Sequence, residues 1–383
     1  MKIVIAPDSF KESLSAYETA CAIERGFRSI LPNAEYIKLP MADGGEGTVQ
    51  SLVDATGGHI VHQVVTGPLG EPVNAFFGML GDGQTAVIEM AAASGLHLVP
   101  REKRNPLWTT SRGTGELILA ALDKGAKHVI IGLGGSATND GGVGMMQGLG
   151  ADFLDKTGHS LTSGGGALHQ LASIDLSGLD PRLQSVRLEA ACDVDNPLTG
   201  ERGASAVFGP QKGADEEIVQ VLDKNLAHFA QVAEKQFNVS FGDAAGAGAA
   251  GGLGASLLGF LQADLQRGID IVLKAVHFDD VIKEADLVIT GEGRIDRQTI
   301  YGKTPIGVAK AAKQYNLPVI GIAGSLANDS GVVHDHGIDA LFSIVPGITS
   351  LSEAIRDAAL HVERTARNIA AVIQSSLIKQ KNL

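Results

Sequence analysis

The chain is poor in the residues that would commit it to several large functional classes. Its two cysteines, Cys21 and Cys192, lie far apart and form no Cys-x-x-Cys pair, so a disulfide framework and a thiolate zinc site are both excluded. A reducing, cytoplasmic setting is the expectation. Aromatics are 4% of the residues, with one tryptophan, which leaves little to stack on nucleic-acid bases. The net charge is −12 and no basic block occurs, so nucleic acid is not an expected partner. Long apolar runs are missing as well. The first, at residues 2–6, meets Pro7-Asp8, and of the 19 uncharged residues 244–262 six are glycine, so neither a signal peptide nor a membrane anchor is expected.

Glycine is what the chain has in abundance, 49 of 383 residues, clustered in turns without a collagen-like period. One such cluster follows the apolar run 287–290. Gly291-Glu292-Gly293 reads as a sharp turn that leaves N–H groups open to a ligand, and Asp296 and Gly302-Lys303-Thr304 come next, ahead of a helical pattern. A lysine at a helix start suits an anion such as phosphate. A Walker A loop is excluded, because Arg297 stands where its first glycine belongs.

The opening reads β-α-β-α. A strand at 2–6 ends at Asp8-Ser9-Phe10-Lys11, and a helix follows from about 16, capped by Ser15 and Glu18. A second strand at 35–39 ends at Asp43-Gly44-Gly45-Glu46-Gly47-Thr48. Residues 60–90 read as a meander, and the last third returns to strands (286–290, 317–323, 339–345) alternating with helices. Two strands cannot bury a doubly wound parallel sheet, and neither can three, but five can. The expectation is an α/β protein with one discontinuous doubly wound domain, 1–64 plus 284–383. Residues 65–283 form an inserted second α/β domain, with a cleft between the two at the strands' carboxyl ends.

Carboxylates at those ends (Asp8, Asp43, Glu46, Glu292, Asp296), with Lys11 and Lys303, suit phosphoryl transfer. Mg²⁺ takes one or two carboxylates plus nucleotide oxygens, cations offset phosphate charge, and one carboxylate can accept a hydroxyl proton. Any one of these acids alone reads more readily as a helix cap or a solvated turn, and it is the pairing of Asp-Gly-Gly-Glu-Gly with Gly-Glu-Gly-x-x-Asp that points to a site. Residues 134–142, among them Gly135, Ser136, Thr138 and Asn139, follow a strand and read as a backbone-lined pocket for an anion or sugar hydroxyl. Asp193 and Asn196 follow another strand, Asp193 as a candidate base or metal carboxylate. Lys212 lies in a turn by composition, where lysines are ordinarily exposed. Gly246-Ala247-Gly248-Ala249-Ala250-Gly251 satisfies Gly-x-Gly-x-x-Gly, yet no strand precedes it and no strand–acid pair follows, which argues against a dinucleotide site. No Gly-x-Ser-x-Gly elbow is present.

Taken in order, these stretches resemble the type I glycerate kinase family. The carriers are 6–11 (Ala-Pro-Asp-Ser-Phe-Lys), 42–48 (Ala-Asp-Gly-Gly-Glu-Gly-Thr), 110–116, 134–142, 191–197, 208–213, 246–252 and 290–296 (Thr-Gly-Glu-Gly-Arg-Ile-Asp). The resemblance implies a flavodoxin-like domain carrying a large insert, and ATP-dependent phosphorylation of D-glycerate with Mg²⁺, at the 2-hydroxyl among bacterial members. On that reading Asp193 is the base, Lys11 and Lys303 meet phosphate or carboxylate, and Asp43, Glu46 and Asp296 lie near Mg²⁺. Asp8, Ser9, Gly44, Gly45, Gly135, Ser136, Thr138, Asn139, Asn196, Lys212, Gly291 and Gly293 would contact substrate or nucleotide. The partners expected are small molecules, and a homo-oligomer stays open. The alternatives are 3-phosphorylation, an NAD-dependent hydroxy-acid oxidoreductase, and a non-catalytic glycerate sensor.

Overall fold

Residues from the two ends of the chain share one parallel sheet in the computed structural model, which describes residues 1–381. Strand Lys2–Pro7 pairs with Leu287–Ile295, Ile3 opposite Leu287 and Ala6 opposite Thr290, and on its other side with Glu35–Lys38. Val319–Leu326 and Ala340–Ser343 complete the sheet. Numbered along the chain, the five strands lie in the order 2-1-3-4-5, the flavodoxin-like arrangement. The central strands are covered on both faces, which is why Ile3, Val4, Ile5, Val288 and Ile289 run apolar without alternation. Helix Ala16–Arg28 starts at a capping box, Glu18 N donating to Ser15 Oγ at 3.2 Å and Ser15 N to Glu18 Oε2 at 2.9 Å. Its buried face, with Ala20, Ile23 and Phe27, shares a core with Val362, Ala366 and Ile369. After the last strand, helices Leu351–Arg356 and Ala358–Lys381 are separated at Asp357.

The strand expected to stop at Thr290 continues to Ile295, with Gly291 opposite Ile322 and Glu292 opposite Ala323. The Gly291-Glu292-Gly293 turn is therefore corrected to strand. Neither glycine has a positive φ, and a Cβ on Gly291 would overlap the carbonyl oxygen of Ile322. Gly291 serves close approach between neighbouring strands.

The chain divides into two compact units. The first comprises Met1–Asp43, Gln50–Thr56 and the stretch from Ile269. The second comprises Gly44–Val49 and Gly57–Gly268. It is built on a six-stranded mixed sheet. Asp264–Gln266, Arg187–Ala191, His128–Gly132 and Thr85–Glu89 are parallel neighbours in that order. Pro72–Met79 and His59–Thr66 extend the sheet antiparallel, which is the meander. Helix Glu216–Phe237 begins at Asp215, whose side chain accepts Ile218 N at 2.9 Å, and it delivers Phe229 into a cluster with Phe153, Phe241 and Phe260. Among the described residues no helix is long and apolar enough to cross a membrane.

Candidate active site

In the first unit, Asp8 follows the first strand at the point where the strand order reverses, the place where open α/β sheets bind ligands. Its Oδ2 accepts from Thr304 Oγ1 at 2.6 Å and its Oδ1 from Ser9 N at 2.6 Å. Burial pushes the Asp8 carboxyl up to about 7 and the charge of Asp43 adds to this, while the bonds from Thr304 and Ser9 pull the other way. Glu292 accepts from Thr299 Oγ1 at 2.7 Å and pairs with Lys303 Nζ at 3.4 Å; burial raises its pKa against both partners. Lys303 is the N-cap of helix Thr304–Gln314 and stays partly exposed, its ammonium held only loosely by Glu292. Lys11 is exposed and makes no hydrogen bond or ion pair among the described residues, while its backbone N lies 3.5 Å from where a Cβ on Gly293 would sit. Asp296 caps the turn Arg297–Tyr301 by accepting Gln298 N at 2.9 Å, and it meets Arg294 Nε at 3.4 Å.

In the second unit, segment Gly44–Val49 packs against the carboxyl ends of the parallel strands. Gly44 has φ +90°, and a Cβ there would lie 2.6 Å from Ala191 Cβ and 3.0 Å from Gly268 Cα. A Cβ on Gly134 would sit 3.5 Å from Gly45 Cα. The buried Glu89 carboxylate accepts Val49 N at 2.9 Å, and the amides of Gly47 and Thr48 also face it, Thr48 N donating besides to Gly45 O at 3.3 Å. Burial raises its pKa more than those bonds lower it. Asp193 is exposed and accepts Gly268 N at 3.0 Å; Glu46, Gly134 and Gly135 are exposed on the same segments. Asn196 is turned to its own loop, donating from Nδ2 to Arg202 O at 2.7 Å.

Beyond Gly135 the expected pocket closes. Residues 136–142 are buried, so Ser136, Thr138 and Asn139 face the interior. Lys212, expected in an exposed turn, is 2% exposed; its Nζ donates to Ser136 Oγ at 2.8 Å and to Thr138 O at 2.6 Å. Burial pulls the ammonium down to about 7, and Asp140 resists this. Asp140 is itself 1% exposed and accepts from Ser111 N and Oγ, both at 2.8 Å, and from Gly142 N and Gly144 N, both at 3.2 Å. Burial raises its pKa against those four donors. The glycine tract has a structural purpose here. Gly251 O accepts Gly141 N at 3.0 Å, and a Cβ on Gly251 would overlap Thr138 O.

Among the described residues no three His, Cys, Asp or Glu side chains are grouped to hold a metal ion. Asp43 and Glu46 fall in different units, and Asp296 is engaged in its cap. Asp8 and Asp43 do fit a hard cation shared with nucleotide oxygens: their mutual repulsion is the excess of negative charge that such a cation relieves. The sequence assigns no role to the side chains of Thr304, Thr299, Asp140 and Glu89. Thr304 closes Gly-Lys-Thr and Glu89 ends a buried strand, so each had a local signal, but the partners that give them a role lie 296 and 40 residues away.

A family model described as the glycerate kinase family matches residues 3–374. The chain is 71% identical over 374 residues to a Bacillus subtilis (strain 168) protein named glycerate kinase, covering 98% of each. It is 61% identical over 373 residues to Escherichia coli (strain K12) glycerate 2-kinase, covering 97% of this chain and 98% of that one. A crystal structure from Salmonella typhimurium LT2, assigned as a glycerate kinase 2, is 58% identical, with a TM-score of 0.92 and coverage of 98% and 99%.

Proposed function

The chain belongs to the glycerate kinase family, and we propose that it transfers the γ-phosphoryl group of ATP to the 2-hydroxyl of D-glycerate, giving 2-phospho-D-glycerate and ADP. The supporting observation is its 61% identity to glycerate 2-kinase of Escherichia coli along nearly the full length of both chains. We place the reaction in the cytoplasm, in the catabolism of small organic acids.

The residues divide the work as follows. Lys303, at a helix start and only loosely paired with Glu292, offers its ammonium to phosphate or carboxylate oxygens, and the unpaired Lys11 does the same. Asp193, exposed at the end of a buried strand, takes the proton of the attacking hydroxyl as the new P–O bond forms and ADP departs. Asp8 and Asp43 would hold Mg²⁺ jointly with the nucleotide, and the ion would neutralise charge on the phosphates. Asp296 is the weaker candidate for that task because its carboxylate is spent on the turn it caps.

The test is to identify the product by ³¹P and ¹³C NMR while following ADP release. Glycerate-dependent ADP release with phosphorus coupled to C2 is expected. Coupling through the C3 oxygen would overturn the position of transfer, and glycerate-dependent NADH formation or binding without ADP would overturn the kinase reading.

A further inference from the structure

We propose that Glu89 is a positioning residue for the reaction: its buried carboxylate gathers three successive amides and so fixes the Gly44–Val49 segment at the carboxyl end of the second unit's sheet. This rests on the reading of that strand end, with Asp193 and Glu46, as part of the catalytic surface.

A glycine-rich turn with successive N–H groups aimed at one point is a ready anion nest, and a phosphate is its usual occupant. Here the amides of Gly47, Thr48 and Val49 already converge on a side chain of the protein itself. A ligand phosphate has no claim on them. What those bonds do is tie a segment rich in glycine, with positive φ at Gly44 and Gly47, to the end of a strand held on both sides. Glycine supplies the geometry of this segment but no rigidity, so the rigidity must come from outside. Glu89 supplies it. With these amides anchored, Gly44 stays against Ala191, Gly45 stays against Gly134, and exposed Glu46, next in the chain, is held in place with them.

The charge on Glu89 has a reason as well. Its carboxylate is 9% exposed, and burial of a carboxylate is costly unless donors surround it. Glutamine would fill the same volume, but its NH₂ group would face amides that can only donate. A carboxylate alone accepts from all three.

The experiment uses the full chain, with turnover, KM for each substrate and thermal melting read together. Glu89→Ala opens a hole that takes the carboxylate from the amides of Gly47, Thr48 and Val49, of which Thr48 N keeps the Gly45 carbonyl at 3.3 Å, and formate, the smallest carboxylate, is added to fill it. Expected are a fall in kcat of about a hundredfold, the scale of a misplaced catalytic element, and saturable recovery with formate at unchanged Tm. Formate should give no activation of the unaltered enzyme. Glu89→Gln, which keeps the volume, should fold normally and lose about tenfold; it serves if the alanine variant does not fold. Turnover of folded Glu89→Ala or Glu89→Gln within twofold of the unaltered enzyme overturns the proposal, as does a loss in Glu89→Ala that tracks Tm and ignores formate. Glu46→Gln and Asp193→Asn separate this from the parent reading. If both turn over normally, the strand end is not catalytic; if both are impaired while the Glu89 variants are not, only the positioning role falls.

Discussion

The hydroxyl of Thr304 donates to Asp8 Oδ2 at 2.6 Å across 296 residues of sequence, joining the first helix turn after Lys303 to the end of the first strand. That bond partly offsets the cost of ionising a carboxyl that burial and Asp43 hold at about 7. The native state therefore keeps a proton on Asp8 between about pH 4 and 7, where the unfolded chain, at 3.8, has lost it. Stability falls as pH rises through that window, and the full cost is present above it. In metal-free buffer Asp8→Asn should be more stable than the unaltered protein at pH 8 by roughly 2–4 kcal/mol and nearly equal to it at pH 4. Thr304→Val should be less stable at pH 8 by about 1–2 kcal/mol. Urea unfolding at the two pH values checks both, and a flat Asp8→Asn difference would rule out the strained carboxyl.

Lys212 gives a slope of the opposite sign. Its ammonium titrates at about 7 in the folded state and at 10.5 when unfolded, so the unfolded chain holds more protons between those values. This group makes stability rise with pH from about 7 to 10. Lys212→Met should remove that rise while loosening residues 134–142, through Ser136 Oγ and Thr138 O left without their donor. Denaturant midpoints at pH 7 and 9.5 read the effect.

Two glycines of nearly equal backbone angle should respond differently to alanine. Gly57 has φ +69° and open space where a Cβ would go, so Gly57→Ala should cost about 1 kcal/mol of backbone strain. Gly251 has φ +71° and the Thr138 carbonyl in that place. Gly251→Ala should cost about 3 kcal/mol or more and lower turnover by shifting the loop that ends at Gly135. Equal melting temperatures for the two variants would contradict the contact.

Asp193→Asn should reduce kcat by about a hundredfold to ten-thousandfold while KM for ATP stays within twofold. Near-normal turnover would remove Asp193 from the role of base.

Much of the fold could be read ahead because its signals are local. Ser15 with Glu18 and Ser350 with Glu353 mark helix starts by side-chain chemistry within one turn, and both boxes are formed. The runs at 2–6 and 287–290 are too apolar to lie anywhere but at a sheet's centre, which forces the chain ends together. Readings failed where the deciding partner was remote. Gly291 looks like a turn until Ile322 is placed beside it, and only then does the missing side chain serve strand contact. Lys212 sits among turn formers, where lysines are ordinarily exposed; its partners Ser136 and Thr138 are over 70 residues away. Nothing in the spacing of Glu89 announces three amides from residues 47–49.

The 2-1-3-4-5 order also constrains how the protein is made. Strand Lys2–Pro7 is synthesised some 280 residues before its partner Leu287–Ile295. At about 5–20 residues per second the wait is roughly 15–60 seconds, long enough for Gly57–Gly268 to complete its own sheet while the earlier strand has an unsatisfied edge. A nascent chain stalled in that interval is a natural client for chaperones, and a chain cut short before Leu287 would expose that edge as an aggregation site instead of giving a smaller enzyme.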